Sequence, residues 1–147
     1  MTLERFIDTA PRPAPLVHPE TAPYWDALVG GELVIQRCAS CRTARYPHAP
    51  VCFVCGSFEW DWTPSQTTEG SVAVVARVHR ATGEHLWQAY TPYYSGLVEL
   101  EERLRVPARI LCDCGAITEP GTVVRAVTLE SPDGDVVLGF AHSCVTP

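Results

Sequence analysis

Four of the seven cysteines fall into two C-x2-C pairs, Cys38/Cys41 and Cys52/Cys55, with ten residues between the pairs. A C-x2-C turn places two thiolates on one side of a metal ion, and zinc prefers four soft ligands in a tetrahedron. Residues 42–51 are long enough for a β-hairpin, and Gly56 can provide the tight turn after the second pair. The spacing therefore predicts a zinc ribbon in which Cys38, Cys41, Cys52 and Cys55 bind one zinc ion.

A zinc ion held by four cysteines keeps no open position at which water could be activated. We therefore expect this zinc to be structural and to replace a core that so short a segment cannot build. Four free or disulfide-linked cysteines are the alternative, but doubled C-x2-C spacing favours the metal.

The other three cysteines are Cys112, Cys114 and Cys144, and His142 lies two residues before the last of them. Cys112 and Cys114 share a strand face, as do His142 and Cys144, so a second metal site is compatible with the sequence if those strands pair. Buried thiols without a metal, or a redox role for the 112–114 segment, are the alternatives that remain open.

No set of catalytic side chains stands out elsewhere in the sequence. It contains no G-x-S-x-G, no P-loop and no G-x-G-x-x-G, so nucleophile-elbow hydrolysis, Walker-type phosphate binding and dinucleotide binding lack support. His79 and Arg80 end a predicted strand, where they could meet a phosphate or carboxylate or simply be solvated. The carboxylates of Glu99, Glu101 and Glu102 indicate a solvated face, and we assign them no catalysis.

Two short helices are predicted before the first cysteine pair. Residues 2–8 place apolar side chains at i, i+3 and i+4 after Thr2 as N-cap, and a proline-rich strap follows them. A second helix opens at Thr21-Ala22-Pro23 and ends at Gly30-Gly31. A strand over 33–37 then leads to Cys38.

After residue 68 the hydrophobic period changes to two, which is typical of strands. Val72, Val74, Ala76 and Val78 share one face of the first strand, and four further strands are predicted over 94–100, 105–112, 122–130 and 135–140. Ser131-Pro132-Asp133-Gly134 is a hairpin signal between the last two. We therefore predict a mainly β fold with helices and strap over 1–37, zinc ribbon over 38–67 and a five-stranded OB-type barrel over 68–147.

The composition indicates a soluble globular protein. Of 147 residues, 46% are hydrophobic, and 11 basic against 17 acidic side chains give a net charge of −6. No apolar run is long enough to cross a bilayer, and no secretory signal is evident, so we expect a cytoplasmic protein with reduced cysteines.

Trp87, Tyr90, Tyr93 and Tyr94 form an aromatic group near the expected ligand face of the barrel. Rings with arginines can stack on single-stranded bases, so a nucleic-acid-binding zinc-ribbon and OB-fold module is the alternative function. Residues 69–147 carry six arginines and ten acidic residues, 6 − 10 = −4, and this charge weakens that alternative.

The order of these parts resembles the family catalogued as domain of unknown function 35, whose members carry a rubredoxin-like zinc ribbon followed by an OB fold. The resemblance covers about 24–140 and rests on these stretches: Tyr24-Trp25, Gly31-Glu32-Leu33, Gln36-Arg37-Cys38-x-x-Cys41, Tyr46-Pro47, Cys52-x-x-Cys55, Val78-His79-Arg80, Pro92-Tyr93, Leu97-Val98-Glu99-Leu100, Gly121, Asp133-Gly134 and Phe140. Two departures are Arg42, where the family often has glycine, and Cys112-Asp113-Cys114, which is outside the family pattern.

The resemblance implies a noncatalytic accessory subunit that binds a thiolase-fold enzyme: a thiolase, an acyltransferase or a retro-aldolase of steroid side-chain breakdown. Some members resemble partners of hydratases. The small subunit would stabilise its partner and shape the channel for an acyl-CoA thioester at a shared interface, in a hetero-oligomer. Arg77, His79 and Arg80 are then candidates for contacts with CoA phosphates or with the partner.

Overall fold

The computed structural model describes residues 2–46, 48–82, 85–101, 103–112 and 118–147. Within them the chain forms β1 (Glu4–Ile7), α1 (Ala22–Val29), β2 (Val34–Cys38), β3 (Ala44–Arg45), β4 (Trp60–Pro64), β5 (Glu69–Val78), a 3-10 helix (His85–Tyr90), β6 (Tyr93–Glu101), β7 (Leu104–Leu111), β8 (Val123–Glu130) and β9 (Val136–Ala141). In this part of the chain no helix combines the length and apolar character needed to cross a bilayer.

Five strands close into a barrel in the order β5, β6, β7, β9 and β8, because β8 pairs with both β9 and β5. All neighbours are antiparallel except β7 and β9, which run parallel. Closure leaves none of these five strands as an open edge. The predicted OB-type barrel is confirmed, and so is the turn at Gly134, which has φ of 91°.

The ribbon is a second sheet of three strands in the order β3, β2 and β4. We expected a β-hairpin within 42–51, but among the described residues that segment contains only the two-residue β3, which pairs back onto β2. The long partner of β2 is β4, which follows the second cysteine pair and pairs antiparallel over five positions. The longer strand pairing therefore flanks the cysteine turns.

One apolar core runs from the ribbon into the barrel. It joins Leu28 of α1 and Ile35 of β2, both fully buried, to Val98, Val106 and Phe140 of the barrel strands. The predicted helix after Thr21 is confirmed as α1, whose buried face carries Tyr24 and Leu28.

The predicted helix over 2–8 is wrong, because this segment contains β1. Residues Glu4–Ile7 pair in parallel with Val127–Glu130 of β8, and the amide of Asp8 donates to the carbonyl of Glu130 at 2.8 Å. A helix of one or two turns is unstable alone, whereas a neighbouring strand satisfies these backbone groups. Leu3 is buried while Ile7 is 65% exposed, so they do not form one apolar stripe.

The predicted single face of β5 is interrupted by a β-bulge between Val72 and Val74. Val72 lies in the core, Val74 is 52% exposed, and Val75 packs against the core instead. One extra residue shifts the alternation by one position, and strict period two does not detect such a shift.

A buried ion pair connects the ribbon to the barrel. Arg37 of β2 donates to the Glu101 carboxylate at the end of β6, and both side chains are 10% exposed or less. Glu101 also accepts from the Gln66 amide at 2.8 Å and from the Ser65 hydroxyl at 3.1 Å. Burial raises the pKa of Glu101, but these hydrogen bonds, Arg37 first, outweigh it and lower the pKa below its usual value. Glu101 is therefore a structural carboxylate and not part of a solvated face.

We expect Glu101→Gln to lower the free energy of unfolding at pH 7 by on the order of 2 kcal/mol, because Arg37 loses its buried counter-charge. A carboxylate whose pKa is depressed on folding stabilises above its unfolded pKa, about 4.3, and that contribution is lost as pH falls through the folded pKa. The free energy of unfolding of the variant should therefore fall less steeply than that of the wild type as the pH is lowered. Denaturant unfolding from pH 7 to 3 measures this difference.

Glu99→Gln is the matched control, because Glu99 is 43% exposed and its contact with Arg105 is 3.4 Å long. Equal stability losses in the two variants would contradict a special role for Glu101.

Candidate metal centre and neighbouring cleft

The two C-x2-C pairs form turns with the same backbone hydrogen bonds. The amide of Arg42 donates to the carbonyl of Cys38 at 3.0 Å, and the amide of Gly56 donates to the carbonyl of Cys52 at 2.9 Å. Arg42 and Gly56, which complete the two turns and are called the closing residues below, both have positive φ, 63° and 76°. Arg42 thus adopts the left-handed conformation that glycine tolerates more readily.

The four sulfur atoms lie within 4.8 Å of one another. The Sγ atoms of Cys38 and Cys55 are 3.5 Å apart, and those of Cys41 and Cys52 are 3.6 Å apart. A tetrahedron with Zn–S bonds of about 2.3 Å has S–S edges of about 3.8 Å. The cluster therefore fits one zinc ion, and the predicted structural zinc is confirmed.

Local hydrogen bonds favour thiolates in the first turn. The backbone amide of Cys41 lowers the pKa of Cys38 to about 6, and the Thr43 hydroxyl lowers the pKa of Cys41. The Ser57 amide lowers the pKa of Cys55, but hydrogen bonds with neighbouring sulfurs, Cys38 first, outweigh it and raise that pKa to about 11. Zinc must displace the protons that these sulfurs share.

Gln36 fixes the loop between the two pairs. Its side chain is fully buried, its Nε2 donates to the carbonyl of Ala49, and its Oε1 accepts from the amide of Ala49, both at 3.0 Å. The sequence offers no signal for this contact, because one buried glutamine in a strand looks like any exposed one.

Arg77 lies in a cleft of about 350 Å³ that also contains Tyr90, Tyr93, Tyr94 and Arg109. The guanidinium of Arg77 stands 5.8 Å from the ring centre of Tyr94, and that of Arg109 stands 4.6 Å from the ring centre of Tyr90. These are cation–π distances. The cleft could therefore hold an anionic or aromatic group.

His79 and Arg80 follow the end of β5 in an exposed bend and do not line this cleft. The structure thus separates Arg77 from the other two candidate contacts.

Sequence reasoning missed Arg109, whose side chain is 10% exposed and donates to the buried carboxylate of Asp8. Asp8 also pairs with Arg12 at 3.2 Å, and Arg12 donates to the carbonyls of Leu129 and Asp135 at 2.7 and 2.8 Å. These contacts fix the proline-rich strap on the barrel. Apart from the Asp8–Arg12 pair, the partners lie more than 100 residues apart, so no local pattern could reveal these contacts.

Three of the remaining candidate metal ligands also meet. The ligand atoms of Cys112, His142 and Cys144 lie within 4.8 Å of one another. Cys144 is disulfide-bonded, which differs from the expectation of reduced cysteines. Cys114 lies outside the described residues.

Two family models match this chain. Residues 25–61 match "ChsH2, rubredoxin-like zinc ribbon domain", and residues 62–129 match "ChsH2, C-terminal OB-fold domain". A solved structure titled "Ltp2-ChsH2(DUF35) aldolase" contains a chain with 30% identity and a TM-score of 0.74. The match covers 88% of this chain and 98% of that one.

A curated relative from Thermomonospora curvata, named "Probable enoyl-CoA hydratase alpha subunit", is 36% identical over 100 residues. That match covers 68% of this chain but 30% of the relative, so the chain corresponds to less than a third of that protein.

We expect Cys52→Ser to reduce the zinc content by one equivalent per chain and to unfold the ribbon, because three thiolates no longer complete the tetrahedron. Elemental analysis gives the zinc content, and tryptophan fluorescence reports Trp60 and Trp62 on β4. Ser40→Ala, at an exposed position in the first turn, should change neither. A variant that keeps a folded ribbon without this zinc would contradict the structural role.

The two closing residues give a second test of the site. Arg42→Gly should raise the free energy of unfolding by about 1 kcal/mol, because glycine relieves the left-handed strain. Gly56→Ala should lower it by about as much, since a Cβ there meets no atom within 4 Å and only the backbone cost remains. Thermal unfolding of the zinc-bound proteins measures both changes in the free energy of unfolding. Changes of the same sign in the two variants would contradict a left-handed backbone at positions 42 and 56.

Proposed function

Because the chain belongs to the family of ChsH2-like (DUF35) proteins with a rubredoxin-like zinc ribbon and an OB fold, we propose that it is a noncatalytic accessory subunit of a thiolase-fold enzyme. In this role it stabilises a thiolase, acyltransferase or retro-aldolase and shapes the channel for an acyl-CoA thioester. The partner supplies the reacting groups.

One observation carries the proposal: the structural match extends over 98% of a chain in the structure titled "Ltp2-ChsH2(DUF35) aldolase". The likeness therefore includes both the ribbon and the barrel, in one arrangement. The hydratase subunit name of the curated relative supports a multisubunit setting for such chains.

The metal centre supports a noncatalytic role. The sulfur atoms of Cys38, Cys41, Cys52 and Cys55 lie within 4.8 Å of one another. A zinc ion coordinated by all four would keep no open position from which to polarise a substrate carbonyl. In the proposal these cysteines are the zinc ligands, and the isolated chain turns over no acyl-CoA.

The cleft around Arg77 supports contact with the CoA arm. Two arginines can bind phosphate oxygens in a bidentate manner, and the tyrosine rings present flat surfaces for an adenine. We assign Arg77 to the ligand, with Arg109 held beside it by Asp8. His79 and Arg80 stay proposed contacts with CoA or the partner, from the exposed bend after β5.

The second cysteine turn supplies an exposed apolar surface for the partner. Phe53 is 76% exposed, Val54 61% and Phe58 71%, and large exposed apolar side chains are typical of interfaces. In the proposed division of the chain, this surface belongs to the ribbon (38–67) and the CoA cleft mostly to the barrel (68–147). Segment 1–37 contacts both, because β1 pairs with β8 and β2 pairs with β4.

The test is an affinity purification of the tagged chain from its own organism, with mass spectrometry of proteins recovered in stoichiometric amounts. We expect a thiolase-fold enzyme, and acyl-CoA turnover by the complex but not by the isolated chain. Phe53→Ser with Phe58→Ser should reduce recovery at least tenfold, because buried aromatic anchors dominate interface energies. Leu16→Ser, at a site 82% exposed, is the matched control.

Recovery of nucleic acid or its enzymes alone would instead favour the nucleic-acid-binding module. In that case affinity for single-stranded DNA or RNA should fall steeply with salt concentration.

A further inference from the structure

We propose that Cys112, His142 and Cys144 form a second zinc site that is available only when Cys144 is reduced. The site lies at the end of the barrel where β7 and β9 finish. The inference does not depend on the proposed function, because it rests on the barrel alone.

The parallel pairing of β7 and β9 brings the first two ligands together. Leu111 is in register with Ala141, and the amide of His142 donates to the carbonyl of Leu111 at 3.0 Å. Cys112 and His142 each follow these paired residues directly, so they leave the sheet side by side. Cys112 and His142 come together only because the β7–β9 pairing forms part of the closed barrel.

A turn after β9 brings the third ligand back. The amide of Val145 donates to the carbonyl of His142 at 3.1 Å, and the Val145 side chain is buried at 2% exposure. Arg125 of β8 donates to the carbonyls of both residues. The segment that carries Cys144 is therefore held against the barrel, with its sulfur within 4.8 Å of the other ligand atoms.

The histidine has the outer contact that metal-bound imidazoles usually have. His142 is 7% exposed, and its Nε2 lies 3.0 Å from the hydroxyl of Thr118. When Nδ1 binds a metal, Nε2–H donates to this hydroxyl, which fixes the tautomer and the ring orientation.

Two thiolates and an imidazole are soft and borderline ligands that suit zinc. They are one fewer than a tetrahedral zinc takes, so a water or a further side chain completes the coordination.

Oxidation and metal binding compete for the same sulfur. Cys144 is disulfide-bonded in the structure. A thiol reductant supplies two electrons, the S–S bond breaks, and two protons complete two thiols while the reductant becomes a disulfide. Zn²⁺ then displaces one proton from each coordinating thiol. Cys144 is thus a zinc ligand under reducing conditions and half of a disulfide under oxidising ones.

The test is zinc analysis of the full-length protein, dialysed with a phosphine reductant or with oxidised glutathione. We expect two zinc ions per chain when reduced and one when oxidised, since the four-cysteine site keeps its metal. Cys112→Ser should hold one zinc in both states, whereas Ser143→Ala, exposed between two ligands, should behave as wild type. Thr118→Val should weaken the second zinc about tenfold and leave the first unchanged.

If Cys112→Ser does not fold, the oxidised wild-type protein, which keeps the ribbon zinc, is reduced and titrated with Co²⁺. One further equivalent with thiolate-to-cobalt absorption, absent when the protein is not reduced, would support the site. One zinc per reduced wild-type chain, or a second zinc that survives in Cys112→Ser, would overturn it.

Discussion

Four sulfur atoms around one point are the constraint on which the ribbon depends. Around the second turn the large apolar side chains, Phe53, Val54 and Phe58, face solvent, whereas Cys38 and Cys52 are buried. This segment therefore has little apolar core of its own, and zinc coordination replaces it. Once the turns are fixed, the β2–β4 ladder can form, and Gln36 can hold the intervening loop.

The ribbon acts on the barrel through two kinds of contact. The apolar contact is the continuous core from Leu28 and Ile35 into the barrel strands, and the polar contact is the Arg37–Glu101 pair. An exposed ion pair contributes little, but a buried one is costly to break because the remaining charge stays unpaired. Both contacts hold the ribbon's exposed apolar surface in a fixed position relative to the cleft around Arg77, as the proposed accessory role requires.

The chemistry-bearing groups outside the ribbon come from distant parts of the chain. Asp8 reaches Arg109 because β1 adds to β8 and the strap crosses the barrel. Cys112 reaches His142 because β7 and β9 run parallel. Parallel neighbours need a long connection, so their side chains never lie close in sequence.

The sequence by itself determined the two cysteine pairs that cluster, α1, the five barrel strands and the hairpin at Gly134, because each depends on spacing or turn chemistry within a few residues. It also supported the family through short motifs. Tertiary structure decided that 2–8 contains a strand, since β8 satisfies its backbone groups, and that a bulge turns Val74 outward. It likewise decided the burial of Glu101 and the meeting of Cys112 with Cys144, because long-range contacts leave no local periodic pattern.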